Sequence, residues 1–166
     1  MNSKAKYYIQ KFQLNKHPEG GYYREVYRSG EIIRIDSPKK NLKRNISTSI
    51  YFLLEGSQIS KFHRLKSDEL WHFYDGGSIR VYVIDENGKL SIITLGKKTE
   101  DGELFQTVIK KNSWFAAEVI NKRSFTLIGC TVSPGFDFSD FELATREFLL
   151  TSFPKHQNLI LKFTKP

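Results

Sequence analysis

Between Tyr22 and Val132 apolar residues recur at about every second position, and helical spacing is confined to the two ends of the chain. Side chains of an extended strand point alternately to opposite faces, so this period predicts strands that bury one side. Nine short segments fit: Tyr22–Arg28, Ser47–Leu54, Ile59–His63, Glu69–Tyr74, Ile79–Ile84, Leu90–Leu95, Phe105–Ile109, Ser113–Ala117 and Ser124–Val132. Turn residues separate many of them. Asp85-Glu86-Asn87-Gly88 predicts a type I′ hairpin turn, because Asn-Gly tolerates positive φ, and Asp75-Gly76-Gly77 predicts another turn. At the start, Ala5, Tyr8, Ile9 and Phe12 form one helical face, with Ser3 placed to cap it. His17-Pro18-Glu19-Gly20-Gly21 then breaks the helix. In the tail, Ser139 and Glu142 have capping-box spacing, and Pro154 suits the first turn of a last helix through Ile160 and Leu161. No helix-length segment separates successive strands, which disfavours a parallel α/β fold. An all-β antiparallel sandwich or barrel spanning residues 1–166 as one domain is predicted.

Composition adds a large aromatic load. Thirteen Phe, eight Tyr and two Trp supply bulk for a core or an aromatic-lined cavity. Cys130 is the only cysteine, which excludes an intramolecular disulfide and a Cys-cluster metal site. The longest aliphatic or aromatic run, Ile50–Leu54, is too short to span a bilayer, and no secretory leader is visible. The expectation is a soluble, cytoplasmic protein with no membrane partner. The net charge of +8 is concentrated in residues 1–66, with fourteen Lys/Arg against five Asp/Glu, and is densest from Arg34 to Arg44. A basic surface can steer anions. Here no nucleic-acid-binding motif accompanies it, so a solvated loop is the better reading and nucleic acid is not an expected partner.

Candidate chemistry gathers in residues 62–77. If a strand ends near Leu65 and another resumes at Glu69, a hairpin of the two lets His63 and Glu69 face one interior, with His72 on the opposite face. Such a carboxylate can orient the imidazole as a general base, or the two can share a divalent metal, or they can form a structural pair. Tyr51, Trp71, Trp114 and Phe115 are candidates to line a pocket or to fill the barrel. Arg24, Arg28 and Arg64 could grip an anionic group or pair with Glu25 or Asp68. Cys130, in mid-strand, reads as a buried small hydrophobe rather than a nucleophile.

Gly56, His63, Glu69 and Gly76 resemble the first cupin motif. The blocks at 17–29, 47–54, 62–77 and 128–144, with the segment around Trp114, resemble in order the small cupin-5 (DUF985) family. The resemblance implies a double-stranded β-helix, or jelly roll, with short terminal helices, assembled as a homodimer with a small-molecule ligand inside the barrel. The barrel is also similar to that of nucleotide-sugar epimerases, which use a histidine base without metal. The resemblance therefore implies His63 and Glu69 as catalytic residues of a sugar or sugar-nucleotide isomerase or epimerase, with Tyr51, Arg64, Trp71, Trp114 and Phe115 as ligand-binding residues. A non-catalytic binder and a metal-dependent enzyme are the alternatives. The family's further metal histidines would fall at 65 and 115, where this chain has Leu65 and Phe115. No tightly bound cofactor is therefore expected, and His63 with Glu69 could hold a divalent metal only weakly.

Overall fold

The structure is a computed structural model that describes residues 2–35 and 42–165. Two antiparallel sheets face each other. The first runs in the order β1 (Asn15–Lys16), β2 (Tyr22–Arg28), β5 (Thr48–Glu55), β12 (Phe125–Ser133), β7 (Asp68–Gly76), β10 (Gln106–Ile109). The second runs β13 (Phe141–Leu143), β6 (Ile59–Leu65), β11 (Trp114–Val119), β8 (Ile79–Ile84), β9 (Leu90–Leu95). A separate hairpin pairs β3 (Ile32–Ile35) with β4 (Leu42–Asn45). The six central residues 36–41 of the basic stretch lie outside the described residues.

Alternation decides what each strand buries. On β5, Phe52 and Leu54 point between the sheets and join Trp71, Phe73, Phe115, Ile128 and Cys130 in the main core. The intervening Tyr51 and Leu53 point outward, under α1 (Ser3–Lys11). Helix α1 lays Ala5, Tyr8, Ile9 and Phe12 on that outer face, as its periodicity requires. Its N-cap is Asn2 rather than Ser3: the Asn2 side chain accepts from the backbone N–H groups of Lys4 and Ala5. On the far side, α2 (Arg146–Ser152) and α3 (Gln157–Phe163) pack Leu149, Ile160 and Phe163 onto Phe62, Tyr82, Trp114 and Ala116 of the second sheet. Among the described residues no helix is long and apolar enough to cross a membrane.

Three local expectations change. Strands β6 and β7 do not form a hairpin, because the chain crosses from one sheet to the other over Lys66 and Ser67. His63 and Glu69 still share an interior, but from facing sheets. The Asp85–Gly88 turn has positive φ at Gly88 (79°) and not at Asn87, so it is not type I′, and the Asp85 carboxylate accepts from the N–H groups of Asn87 and Lys89. Finally, Ser139 and Glu142 open no helix. Residues Phe138–Asp140 form a single 3-10 turn capped by Asp137, and Glu142 lies on β13 opposite Arg64. The helix begins later, where the Thr145 side chain accepts from the Phe148 N–H.

Candidate functional site

One end of the space between the sheets is left unfilled. The cavity there measures about 520 Å³ and is open to solvent at one side, within the range that takes a small organic ligand. The alternate positions Thr48, Ile50 and Phe52 of β5, Glu69 and Trp71 of β7, and Cys130 and Val132 of β12 form one wall. His63 and Leu65 of β6 form the other, and Phe136, Phe138 and Phe141 crowd the mouth.

The residue that holds His63 in place comes from the turn at 17–21. Gly20 has φ 125°, and a Cβ there would lie 2.1 Å from the carbonyl oxygen of Ile59, so only glycine lets this turn press against β6. The turn is tied down by the Lys61 N–H donating to the Glu19 carbonyl at 3.0 Å and Lys61 Nζ donating to that of Pro18 at 2.9 Å. Glu19 is thereby buried. Its Oε1 accepts from Ser60 Oγ at 2.7 Å and its Oε2 lies 3.0 Å from His63 Nε2. The other nitrogen of His63, Nδ1, lies 2.7 Å from the carbonyl oxygen of Lys61.

A carbonyl only accepts, and so does an ionised carboxylate. Both nitrogens of His63 therefore carry hydrogen, and the ring is an imidazolium. The electrostatics agree. Burial opposes the His63 charge, but Glu19 and the Lys61 carbonyl outweigh it and raise the pKa. Burial likewise opposes ionisation of Glu19, and the charge and hydrogen bond of His63, helped by His17 and Ser60, bring its pKa below the usual value. His17 lies on the other side of Glu19: burial lowers its pKa, its Nδ1 sits 3.4 Å from the Glu19 backbone nitrogen and 3.3 Å from Glu19 Oε2, and its ring stands edge-on to Tyr23.

Glu69 is buried as deeply, with 8% of its surface exposed, yet makes no ion pair among the described residues. Burial pushes its pKa up; the His63 charge opposes this and the Glu19 charge adds to it, leaving it at about 7. Beside it, two residues along the same strand face, the Trp71 indole N–H is buried without a hydrogen-bond partner. It faces Glu69 without completing a bond. Cys130 lines the same wall, where burial, then the Glu69 charge, keeps its thiol protonated.

Of the sequence candidates, His63, Glu69 and Trp71 meet at this cavity. Phe115 lies behind His63, ring centroids 4.0 Å apart, and fills the core rather than the cavity wall. The others stand elsewhere. Tyr51 stacks on Phe12 at 4.7 Å under α1, and Trp114 sits on the outer face of its sheet, with Arg64 4.5 Å above its ring. Arg64 pairs with Glu142 and not Asp68, which binds Lys110. Each faces away because strand parity, not residue type, decides the side. Arg28 reaches the mouth, where its fork is satisfied by Glu25 at 2.9 and 2.7 Å and by the Phe136 carbonyl. In the sequence, Glu19 and His17 read only as parts of a turn. A carboxylate enclosed by Pro and two Gly beside a long apolar strand was the available signal.

Positions 65 and 115 are apolar, both His63 nitrogens are engaged, and among the described residues no group of three or more His, Cys, Asp or Glu is arranged around a metal site. This donor set does not fit a firmly held metal.

Two facing antiparallel sheets, short flanking helices and a cavity at one end of the interior define a cupin jelly roll. Residues 6–144 match the Cupin_5 family of the cupin superfamily (DUF985), and the chain belongs to it. It is 32% identical over 143 residues to the uncharacterized protein YML079W of Saccharomyces cerevisiae, covering 80% of this chain and 71% of the yeast protein. Among solved structures, protein SO0799 of Shewanella oneidensis is 38% identical with a TM-score of 0.87, the match covering 100% of this chain and 99% of that one. A hypothetical protein from Leishmania major is 31% identical with a TM-score of 0.89 and full coverage of both chains. Oxalate decarboxylase from Bacillus subtilis, 17% identical with a TM-score of 0.57 over 90% of this chain and 36% of its own, shares the fold.

Proposed function

We propose that the cavity binds a small polar metabolite carrying a carbonyl beside a hydroxyl, as a sugar does, and that Glu69 moves a proton on it. The observation that carries this reading is a carboxyl group with pKa near 7, free of ion pairs, on the wall of a ligand-sized cavity. In its ionised form Glu69 removes the proton α to the carbonyl. The C–H electron pair moves to give an enediolate, the proton of the adjacent hydroxyl passes to the former carbonyl oxygen, and Glu69 returns its proton to the former carbonyl carbon, which exchanges aldose for ketose with no cofactor. Glu69, rather than His63, takes this role because both His63 nitrogens already donate. His63 and Glu19 instead form the fixed ion pair against which Glu69 titrates.

Incubation with a panel of aldoses and ketoses in D₂O tests this by NMR. The wild type exchanges the α proton of at least one sugar, Glu69→Gln loses at least about 100-fold of that rate, and His72→Ala keeps it. Exchange that persists in Glu69→Gln overturns the assignment. The engaged nitrogens of His63 favour one second reading, a non-catalytic binder, because the imidazole is then not free to act as a base. That reading requires saturable thermal stabilisation by a sugar with no exchange.

A further inference from the structure

The Trp71 indole is 1% exposed, lines the cavity, and has a donor with no partner in the protein. A buried donor left unsatisfied costs about 1–3 kcal/mol, and the adjoining space is the cavity itself. An indole N–H can only donate, so what completes it is an acceptor atom. The cations around the cavity are already matched: His63 by Glu19 at 3.0 Å, Arg28 by Glu25 at 2.7 Å. No unpaired cation remains among the described lining residues to hold an anion, and an incoming carboxylate would meet both Glu19 and Glu69. A cation would leave the indole unsatisfied. The cavity surface is otherwise rich in aromatic rings: Phe52 beside Trp71, and Tyr23, Phe136 and Phe138 elsewhere on the lining.

Resting on the reading of the cavity as the ligand site, we infer that the Trp71 indole N–H is the recognition point for a carbonyl oxygen of an uncharged ligand, which it fixes beside the Glu69 carboxyl group. The ligand class is thereby narrowed to neutral carbonyl compounds presenting an apolar face to the surrounding rings. Trp71 positions the oxygen toward which electrons move when the neighbouring carbon loses its proton.

Three probes of one shape and different charge test this at pH 6.0, where Glu69 is mostly protonated: cyclohexanone, cyclohexanecarboxylate and cyclohexylammonium. The indole N–H resonances of ¹⁵N-labelled protein report directly on the donor. Trp114, on the outer face of its sheet, is the internal control, and Trp114→Phe assigns the two signals. Cyclohexanone is expected to move the Trp71 indole proton downfield together with the methyl signals of Ile50 and Val132, leaving Trp114 still. It should bind at least about tenfold more tightly than either ion, and Trp71→Phe should weaken it about three- to tenfold as read from those methyls. Methyl shifts without an indole shift overturn the inference while leaving the cavity reading intact. Equal or tighter binding of either ion overturns it as well. If no probe perturbs any cavity signal, the cavity reading fails and the inference with it. The wild-type indole shift needs no variant to fold.

Discussion

Two glutamates are almost equally hidden in this protein and titrate at opposite extremes. Glu118, 6% exposed, receives the Tyr82 hydroxyl at 2.9 Å, Lys122 at 2.8 Å and Lys162 at 2.6 Å. Burial opposes its charge, but Lys122, Lys162 and Tyr82 bring its pKa down to about 2. Glu69, 8% exposed, has no such partners and rises to about 7. Surface exposure alone therefore decides little. Glu69 lies deep between the sheets without a cation of its own, whereas Glu118 stands on the outer face of its sheet within reach of two half-exposed lysines. Around Glu118 three donors bind α3 and the end of β11 to the sheet, and the site is structural. Around Glu69 the fold supplies no cationic donor of its own, only the nearby Trp71 indole and Cys130 thiol, and a cavity opens beside it.

Glu19 offers the harshest way to break this comparison, since it is partnered but can be stripped. His63→Ala leaves the Glu19 carboxylate buried with Ser60 and no counter-charge, and should cost about 3–5 kcal/mol in urea denaturation. A loss below about 1 kcal/mol would mean the pair is not ionised. Next in size is Glu69→Gln. A carboxyl whose folded pKa exceeds its unfolded value near 4.5 destabilises the fold progressively as pH rises from about 4.5 to about 7, and fully above that. The amide removes this penalty, so the variant should gain about 2–3 kcal/mol at pH 8 and nothing at pH 4. Equal stabilisation at both would break the link to ionisation. Glu118→Gln should do the reverse and more weakly, losing about 1–2 kcal/mol at neutral pH because its lysines are half exposed. A depressed pKa gives stability that is present above about 4.5 and disappears as pH falls toward 2. The difference between wild type and this variant should therefore close in acid.

The sheet content was readable because alternation is local: Tyr22–Arg28, Ile79–Ile84 and Leu90–Leu95 have the bounds their patterns predict. What alternation cannot tell is which sheet a strand joins, so His63 and Glu69 were placed on one hairpin when they face each other across two sheets. The same limit explains the ligand candidates. Trp71 shares the parity of Glu69 and reaches the cavity, whereas Arg64 and Trp114 have the other parity from His63 and Phe115. The short strands Leu42–Asn45 and Phe141–Leu143 carry too little apolar periodicity to be seen, and they exist through pairing with β3 and β6. Glu19 was hidden for a different reason. Its role depends on Gly20 touching Ile59, a contact between residues 39 positions apart.

The proposal for the cavity stands on the state of one carboxyl group, and ¹³C NMR of the side-chain carbonyl carbons can follow it directly. In uniformly ¹³C-labelled protein, with Glu69→Gln to assign the signal, the account predicts a Glu69 titration midpoint near 7, and one near 2 for Glu118. A Glu69 midpoint at the ordinary glutamate value of about 4.5 would contradict it.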